Sequence, residues 1–261
     1  MDLGLNGKVA LVAASSKGLG KACAVELARE GAHVMITGRK EAELQKAKQE
    51  MAGLAGEVEY LVCDITKSED ITRTVEAAVQ RFGRIDILIN NAGGPPPGSV
   101  ESLTDEQWYN SFELNLLSYI RFIREVLPYM KEQKSGRIIN LASSSVKQPI
   151  PGLLLSNTFR TGIVGLAKTL SLELAPYNIL VNTVSPGRIA TDRIKELDED
   201  KAKKTGKTVD QVAEEAHKGI PLGRDGQVEE FGRTVAFLAS AASSYTTGVS
   251  LLIDGGSVKG I

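Results

Sequence analysis

Short apolar runs of strand length alternate with helical segments along most of the chain, and that alternation leaves few architectures open. Lys8 to Ala14 is an apolar run that ends in a turn of small residues. Gly18 to Glu30 then shows helical periodicity through Ala22, Val25, Leu27 and Ala28, and Gly31 stops it. His33 to Thr37 predicts a second strand, Lys40 to about Ala52 a charged helix, Val58 to Cys63 a third strand and Glu69 to Phe82 an amphipathic helix. Ile85 to Ile89 is apolar at four of its five positions, the pattern of a strand covered on both faces. Such alternation predicts an α/β fold: a doubly wound parallel sheet, helices on both faces, joined by right-handed crossovers.

Beyond the glycine- and proline-rich loop Ala92 to Gly98, two longer helices are expected, about Asp105 to Lys131 and Ser156 to Leu174, enclosing a strand at Arg137 to Leu141. Ile179 to Val184 and Ser250 to Ile253 complete the strands. No repeat or composition break marks a second domain, so residues 1–261 are read as one unit. The segment Ile189 to Gly219 stands apart, with eight charged residues between Lys195 and Lys204. It is either a solvated surface insertion or a cover over a ligand cleft. Its place after a strand end, where open α/β sheets bind ligands, favours the cover.

Composition removes several classes of function. A net charge of -1 gives no electrostatic grip on nucleic acid or an anionic membrane. The apolar runs are strand-sized, too short to span a bilayer, and Met1 to Lys8 lacks the pattern of a signal peptide. Two cysteines, Cys23 and Cys63, are too sparse for a disulfide scaffold, and with only His33 and His217 the ligands for a metal site are few. A cytoplasmic protein is the expectation.

The turn after the first strand reads Ala13-Ala14-Ser15-Ser16-Lys17-Gly18-Leu19-Gly20. Small residues let the backbone approach a pyrophosphate, and a helix opening at Gly18 aims its amides and positive dipole end at it. Glycine-rich turns are common. The weight comes from context, between the first strand and the first helix. An NAD site usually carries an acid at the end of the second strand, whereas this chain has Thr37-Gly38-Arg39-Lys40. Arg39 is suited to a 2'-phosphate, with Lys17 adding a cation from the glycine loop. Two ordinary surface cations would read the same way, but NADP(H) is the expected ligand of a single Rossmann-type domain.

With these motifs in place, nearly the whole chain resembles the short-chain dehydrogenase/reductase family, in wording and order most like bacterial 3-oxoacyl-acyl-carrier-protein reductases. Ala14 through Gly20 is similar to the family's glycine loop, with Ala14 at its first glycine. Asp64 followed by Ile65 corresponds to its adenine contact, and Asn90 to Gly93 (with Asn91, Ala92 and Gly93 at the cofactor) to its Asn-Asn-Ala-Gly motif. The resemblance implies a proton-relay role for Asn115 and a catalytic role for Ser143. It places Pro186, Gly187, Ile189 and Thr191 over the nicotinamide, and Thr247-Gly248 and Ile253 to Gly256 in the C-terminal strand and tail. It also implies a homotetramer and a small-molecule substrate such as a ketoacyl thioester.

One motif departs from that pattern. Counting back from Gly165-Leu166-Ala167-Lys168-Thr169-Leu170, the family's Tyr-x-x-x-Lys falls on Ser156 and Arg160, and no tyrosine lies between Gly136 and Pro176. In the family the phenol protonates the carbonyl oxygen, while the lysine cation lowers the phenol's pKa and binds the nicotinamide ribose. Serine is a weaker acid and shorter by about 4 Å. Arginine keeps the cation but gives up no proton at working pH. Two functions therefore remain: a reductase of carbonyls or activated alkenes using Ser143, Ser156 and Arg160, or a catalytically silent NADP(H)-binding sensor or partner subunit. Lys147 reads as a solvent-facing lysine more readily than as a substitute proton donor, and Tyr119 as packing. Trp108 sits in a helix start capped by Thr104 and Gln107. Pro149 to Gly152 either shapes the substrate mouth or only spaces Ser143 from Ser156.

Overall fold

A computed structural model describes residues 2–260. Seven parallel strands form one sheet in the order β3-β2-β1-β4-β5-β6-β7. They are β1 Val9–Val12, β2 His33–Gly38, β3 Val58–Val62, β4 Ile87–Asn90, β5 Gly136–Leu141, β6 Ile179–Pro186 and β7 Ser250–Ile253. Helices α1 (Gly18–Arg29) and α2 (Glu41–Glu50) cover one face together with α9 (Val228–Ala239), where Leu27, Leu44 and Phe231 are buried against Val12 and Ile36. Helices α3 (Ser68–Phe82), α5 (Ser118–Gln133) and α6 (Leu154–Glu173) cover the other, through Ile71, Phe122 and Ile163. Coverage on both faces explains why β1 and β4 are buried at every position. Among the described residues no helix is long and apolar enough to cross a membrane.

Three features depart from the sequence-based expectations. The predicted strand at Ile85 starts at Ile87, although the Asp86 backbone already bonds the Val9 carbonyl and the Arg137 amide, each at 2.9 Å, while its carboxylate accepts the Val9 amide at 3.0 Å and Arg84 Nε at 2.8 Å. The long helix expected from Asp105 is interrupted. Helix α4 (Asp105–Phe112), started by the Thr104–Gln107 capping box, passes through a π-helical turn at Glu113–Leu117 before α5 begins. Such turns are frequent at functional sites, and this one leaves Asn115 fully buried. Helix α9 was not anticipated, although Phe231, Val235 and Leu238 carry its apolar stripe. Its Gly232 lies against α1 so closely that a Cβ there would sit 2.7 Å from the Ala22 carbonyl.

The charged segment after β6 folds into two helices, α7 (Asp192–Thr205) and α8 (Val209–Lys218). Gly206, at φ +69°, ends α7, and a Thr208–Gln211 capping box starts α8. Lys195 and Glu196 are exposed, as a solvated face requires, whereas Asp198 is buried.

Ala14 holds φ +46°, a left-handed conformation that costs a residue with a Cβ about 1–2 kcal/mol. Neighbours hold it there: its amide donates to the Thr37 hydroxyl oxygen at 3.0 Å, and its carbonyl accepts from Asn91 Nδ2 at 2.9 Å. Glycine would relieve the strain and give part of it back as chain entropy. Ala14→Gly is expected to raise Tm by about 2 °C, measured by calorimetry. A lower Tm would mean that the alanine is not strained.

Candidate active site

The strand order reverses at β1 and β4, and a cleft of about 630 Å³ opens there at the carboxyl ends of the strands. Ala14, Ser16, Lys17, Gly18 and Leu19 of the β1–α1 turn form one wall. The N-terminus of α1 has no side-chain cap, so its first amides face the cleft uncommitted. Two residues of the turn lie behind the wall. Ser15 is fully buried, donating to the Val12 carbonyl at 2.7 Å and accepting the Thr37 amide at 3.0 Å. Gly20 allows α1 to approach: a Cβ there would lie 2.6 Å from Asn91 Nδ2 and 2.7 Å from the Ala14 carbonyl.

At one end the cleft is lined by Arg39, Lys40, Glu43, Asp64 and Ile65. Arg39 is exposed and has no carboxylate within 4.0 Å among the described residues. Lys40 pairs with Glu43 at 3.1 Å, and the Ser16 hydroxyl donates to the same carboxylate at 3.3 Å. The hydrogen bond from Lys40, with its charge and the Ser16 contact, outweighs desolvation and holds the Glu43 carboxyl below its usual range. Burial pushes the Asp64 carboxyl up, but the Thr66 hydroxyl and amide, Arg39 and Lys67 outweigh it, leaving it low. Both carboxylates are therefore ionised near neutrality.

Asn91, Ala92 and Gly93 lead along the cleft to Ser143, Ser156 and Arg160. Ser143 Oγ accepts the Ser145 amide at 3.1 Å, and its own proton has no acceptor among the described residues. Ser156, on the first turn of α6, is 9% exposed and its hydroxyl has no hydrogen-bond partner among the described residues. Arg160 follows one turn later on the same helical face. Its Nη1 donates to the Tyr119 hydroxyl and the Leu141 carbonyl, each at 2.7 Å, and Nη2 to the Ala92 carbonyl at 3.1 Å. Tyr119 donates in turn to Leu141 at 2.8 Å, and burial pushes its phenol up despite Arg160. Asn115 lies off the cleft wall, and both polar atoms of its side chain are buried without a partner among the described residues. Such orphans are usually satisfied by internal water.

Pro186, Gly187, Ile189 and Thr191 roof the cleft between β6 and α7. Gly187 is pressed onto the tail: a Cβ there would lie 2.6 Å from that of Asp254. Lys147 is exposed and off the wall, and Trp108 packs edge-on against Phe159 with ring centroids 5.7 Å apart.

Sequence reasoning missed several wall residues. Ser16 and Glu43 face the cleft beside Arg39, a placement that residue type alone does not signal. Cys63 lines it too, and burial raises its thiol to about 11, so it remains a neutral thiol. Arg193 reaches in from α7, its Nη2 donating to the Pro95 carbonyl at 3.0 Å. Its position two residues past Thr191 was the available clue.

The model of a family described as enoyl-(acyl carrier protein) reductase matches residues 13–258. The 3-oxoacyl-(acyl-carrier-protein) reductase of Thermotoga maritima is 37% identical over 254 residues, covering 97% of this chain and 99% of its own. The chain belongs to the short-chain dehydrogenase/reductase family. An NADPH-dependent reductase of Bacillus subtilis is 32% identical, covering 97% of this chain and 99% of its own. Among solved structures, the L-sorbose reductase of Gluconobacter frateurii, complexed with NADPH and L-sorbose, superposes with a TM-score of 0.95 at 30% identity, with full coverage of both chains. The seven-stranded parallel sheet is the Rossmann-like fold of this short-chain family.

Proposed function

We propose that this short-chain enzyme is an NADP(H)-dependent oxidoreductase that reduces a carbonyl or activated alkene, with Ser156 and Arg160 standing where relatives use tyrosine and lysine. One observation carries the reading. Ser143 presents an uncommitted hydroxyl proton to the cleft on the same wall as Ser156 and the Arg160 cation.

The residues suit the coenzyme. A Cβ built at Gly18 or Gly93 meets nothing within 4 Å, so the space over both is open to a pyrophosphate and a nicotinamide. The uncapped N-terminus of α1 favours an anion. Lys17, Arg39 and Lys40 outnumber Glu43 and Asp64 at the adenosine end, which favours a 2'-phosphate over bare ribose hydroxyls. The B. subtilis and G. frateurii relatives, by name an NADPH-dependent reductase and an NADPH complex, support the same choice.

When bound, NADPH supplies the hydride. Ser143 donates a hydrogen bond to the acceptor oxygen, and the Arg160 charge stabilises the anion that develops there. Ser156 holds a water that delivers the proton, and Asn115 holds another that replenishes it. Pro186, Gly187, Ile189 and Thr191 keep bulk water out, with α7 and α8 as the cover.

The test is NADPH consumption with ketoacyl thioesters, quinones and enones. Turnover abolished by Arg160→Ala supports the reading. The second reading, a silent NADP(H) sensor or partner subunit, draws on the Arg160 guanidinium being turned inward onto Tyr119, Leu141 and Ala92. Micromolar NADPH binding without turnover would select it. Arg39→Ala should weaken NADPH about 10- to 100-fold, the loss of a charge-assisted hydrogen-bonded pair, and leave NADH nearly unchanged. A native protein that binds NADH as tightly as NADPH would refute the coenzyme assignment. Exposed Leu172, Tyr245 and Leu251 support assembly as a homotetramer, for which light scattering should give four times the chain mass.

A further inference from the structure

The cleft that Ser143 lines carries two guanidinium groups, one without a carboxylate partner among the described residues and one whose only such partner there is the exposed Glu196. Arg160 is 5% exposed, and all its hydrogen-bond acceptors are neutral oxygens. No carboxylate lies within 4.0 Å of it among the described residues. A buried cation without a counter-charge is costly, so Arg160 favours the negative charge that develops on an acceptor oxygen at Ser143 and leaves a substrate carboxylate to the second guanidinium.

Arg193 reaches the same cleft from α7. It leaves the first turn of α7 and lies over Gly94, where a Cβ would be 3.0 Å from its Nε. Its Nη2 ends on the Pro95 carbonyl at 3.0 Å. Arg160 holds the Ala92 carbonyl and Arg193 the Pro95 carbonyl, so both guanidiniums grip one short loop on the cleft wall.

The nearby acids neutralise neither group. Glu113 on the same wall is paired with Arg121 at 3.3 Å. Asp192 faces Lys17 at 3.8 Å, on the nucleotide side. Glu196 comes within 3.5 Å of Arg193, but its side chain is 60% exposed, so water screens that contact. The remaining wall includes apolar Leu153, Ile194 and Leu197, with Asn110 as a neutral polar group.

We propose that the substrate is an oxo acid, with its carbonyl oxygen at Ser143 and its carboxylate on Arg193 beneath the cover. This rests on the reductase reading above. Hydride from NADPH adds to the carbonyl carbon, a proton from water adds to the oxygen, the C=O π bond breaks, and hydroxy acid and NADP+ leave. A carboxylate on Arg193 also ties α7 to the substrate, so binding and closure of the cover become one event.

The test compares 3-oxobutanoate, 4-oxopentanoate and 5-oxohexanoate with their methyl esters, in binding by calorimetry without coenzyme and in kcat/KM with NADPH. At least one acid should exceed its ester by about 10- to 100-fold in both, the span of a hydrogen-bonded charge pair. Arg193→Gln should bring that ratio near one by lowering the acid far more than the ester, and Arg193→Lys should restore part of it. Esters that bind as well as the acids, no acid binding, or a preference that survives Arg193→Gln would each overturn the proposal. Binding that discriminates as described, with no turnover of either series, would overturn the reductase reading and leave the carboxylate site standing.

Discussion

Replacing Ser156 with tyrosine should raise reductase turnover by about 10²- to 10⁴-fold, the usual contribution of a positioned general acid. Ser156 stands on the cleft wall with its hydroxyl unpaired among the described residues, so the ring enters space that is already open. A phenol, with an ordinary pKa of about 10, is far more acidic than an alcohol, and it extends about 4 Å further toward the acceptor oxygen. Arg160, one helical turn on, would lie close enough to favour the phenolate. Stopped-flow or steady-state NADPH oxidation measures the gain. A new basic limb in the pH profile of the variant, absent from the native protein, would assign the gain to the phenol rather than to altered packing. A folded, NADPH-binding Ser156→Tyr variant with turnover within about threefold of native would sink the assignment of that position.

Arg188→Met should have the largest effect on stability. Arg188 leaves the end of β6 and joins both helices of the cover to the frame. Its Nη1 donates to Asp198 of α7 at 2.7 Å, its Nη2 contacts the other oxygen of that carboxylate, and its Nε donates to Asp225 at 2.6 Å. His217 of α8 meets the same Asp225 oxygen at 3.0 Å. The hydrogen bond to Asp198, followed by the opposing burial and the Asp225 charge, sets the balance that raises the guanidinium pKa, so the cation persists at any working pH. Methionine keeps the volume and strands two carboxylates, of which Asp198 is 6% exposed. Breaking a buried pair from one side costs about 3–5 kcal/mol. The result should be faster amide exchange across residues 192–218 and a Tm lower by roughly 10 °C. Adding Asp198→Asn should recover part of the loss, because the two changes share one interaction. Unchanged exchange in α7 and α8 would show that the cover is held by other contacts.

The legible parts of this molecule are those whose signal is local. Strands β1 to β3 and the helices between them read directly: β1 is apolar throughout because both its faces are covered, Gly31 marks the end of α1, and β3 keeps a strand pattern although only partly buried. The one acid in the β4 run did not, because the Asp86 carboxylate answers to the Val9 amide, 77 residues away in sequence, as well as to Arg84. Helix α9 carried a readable stripe, but its importance comes from Gly232 against Ala22, a contact spanning most of the chain. The cleft follows the same rule. The β1–α1 turn was legible as a nucleotide loop, whereas the choice between Ser15 and Ser16 as the cleft-facing hydroxyl depends on backbone direction within the turn. The inward commitment of Arg160 to Tyr119, Leu141 and Ala92 joins three separate elements, and no spacing along the chain announces it.

The seating of α9 on α1 also bears on how the molecule is made. The strand, turn and helix that would receive the coenzyme are complete within the first 30 residues, yet the flank of α1 that meets α9 is closed only by residues 228–239. During synthesis that flank waits, apolar and uncovered, until almost the entire polypeptide has left the ribosome. Coenzyme added to nascent chains truncated before residue 228 should therefore find nothing stable to bind, whereas chains extended past β7 should capture it.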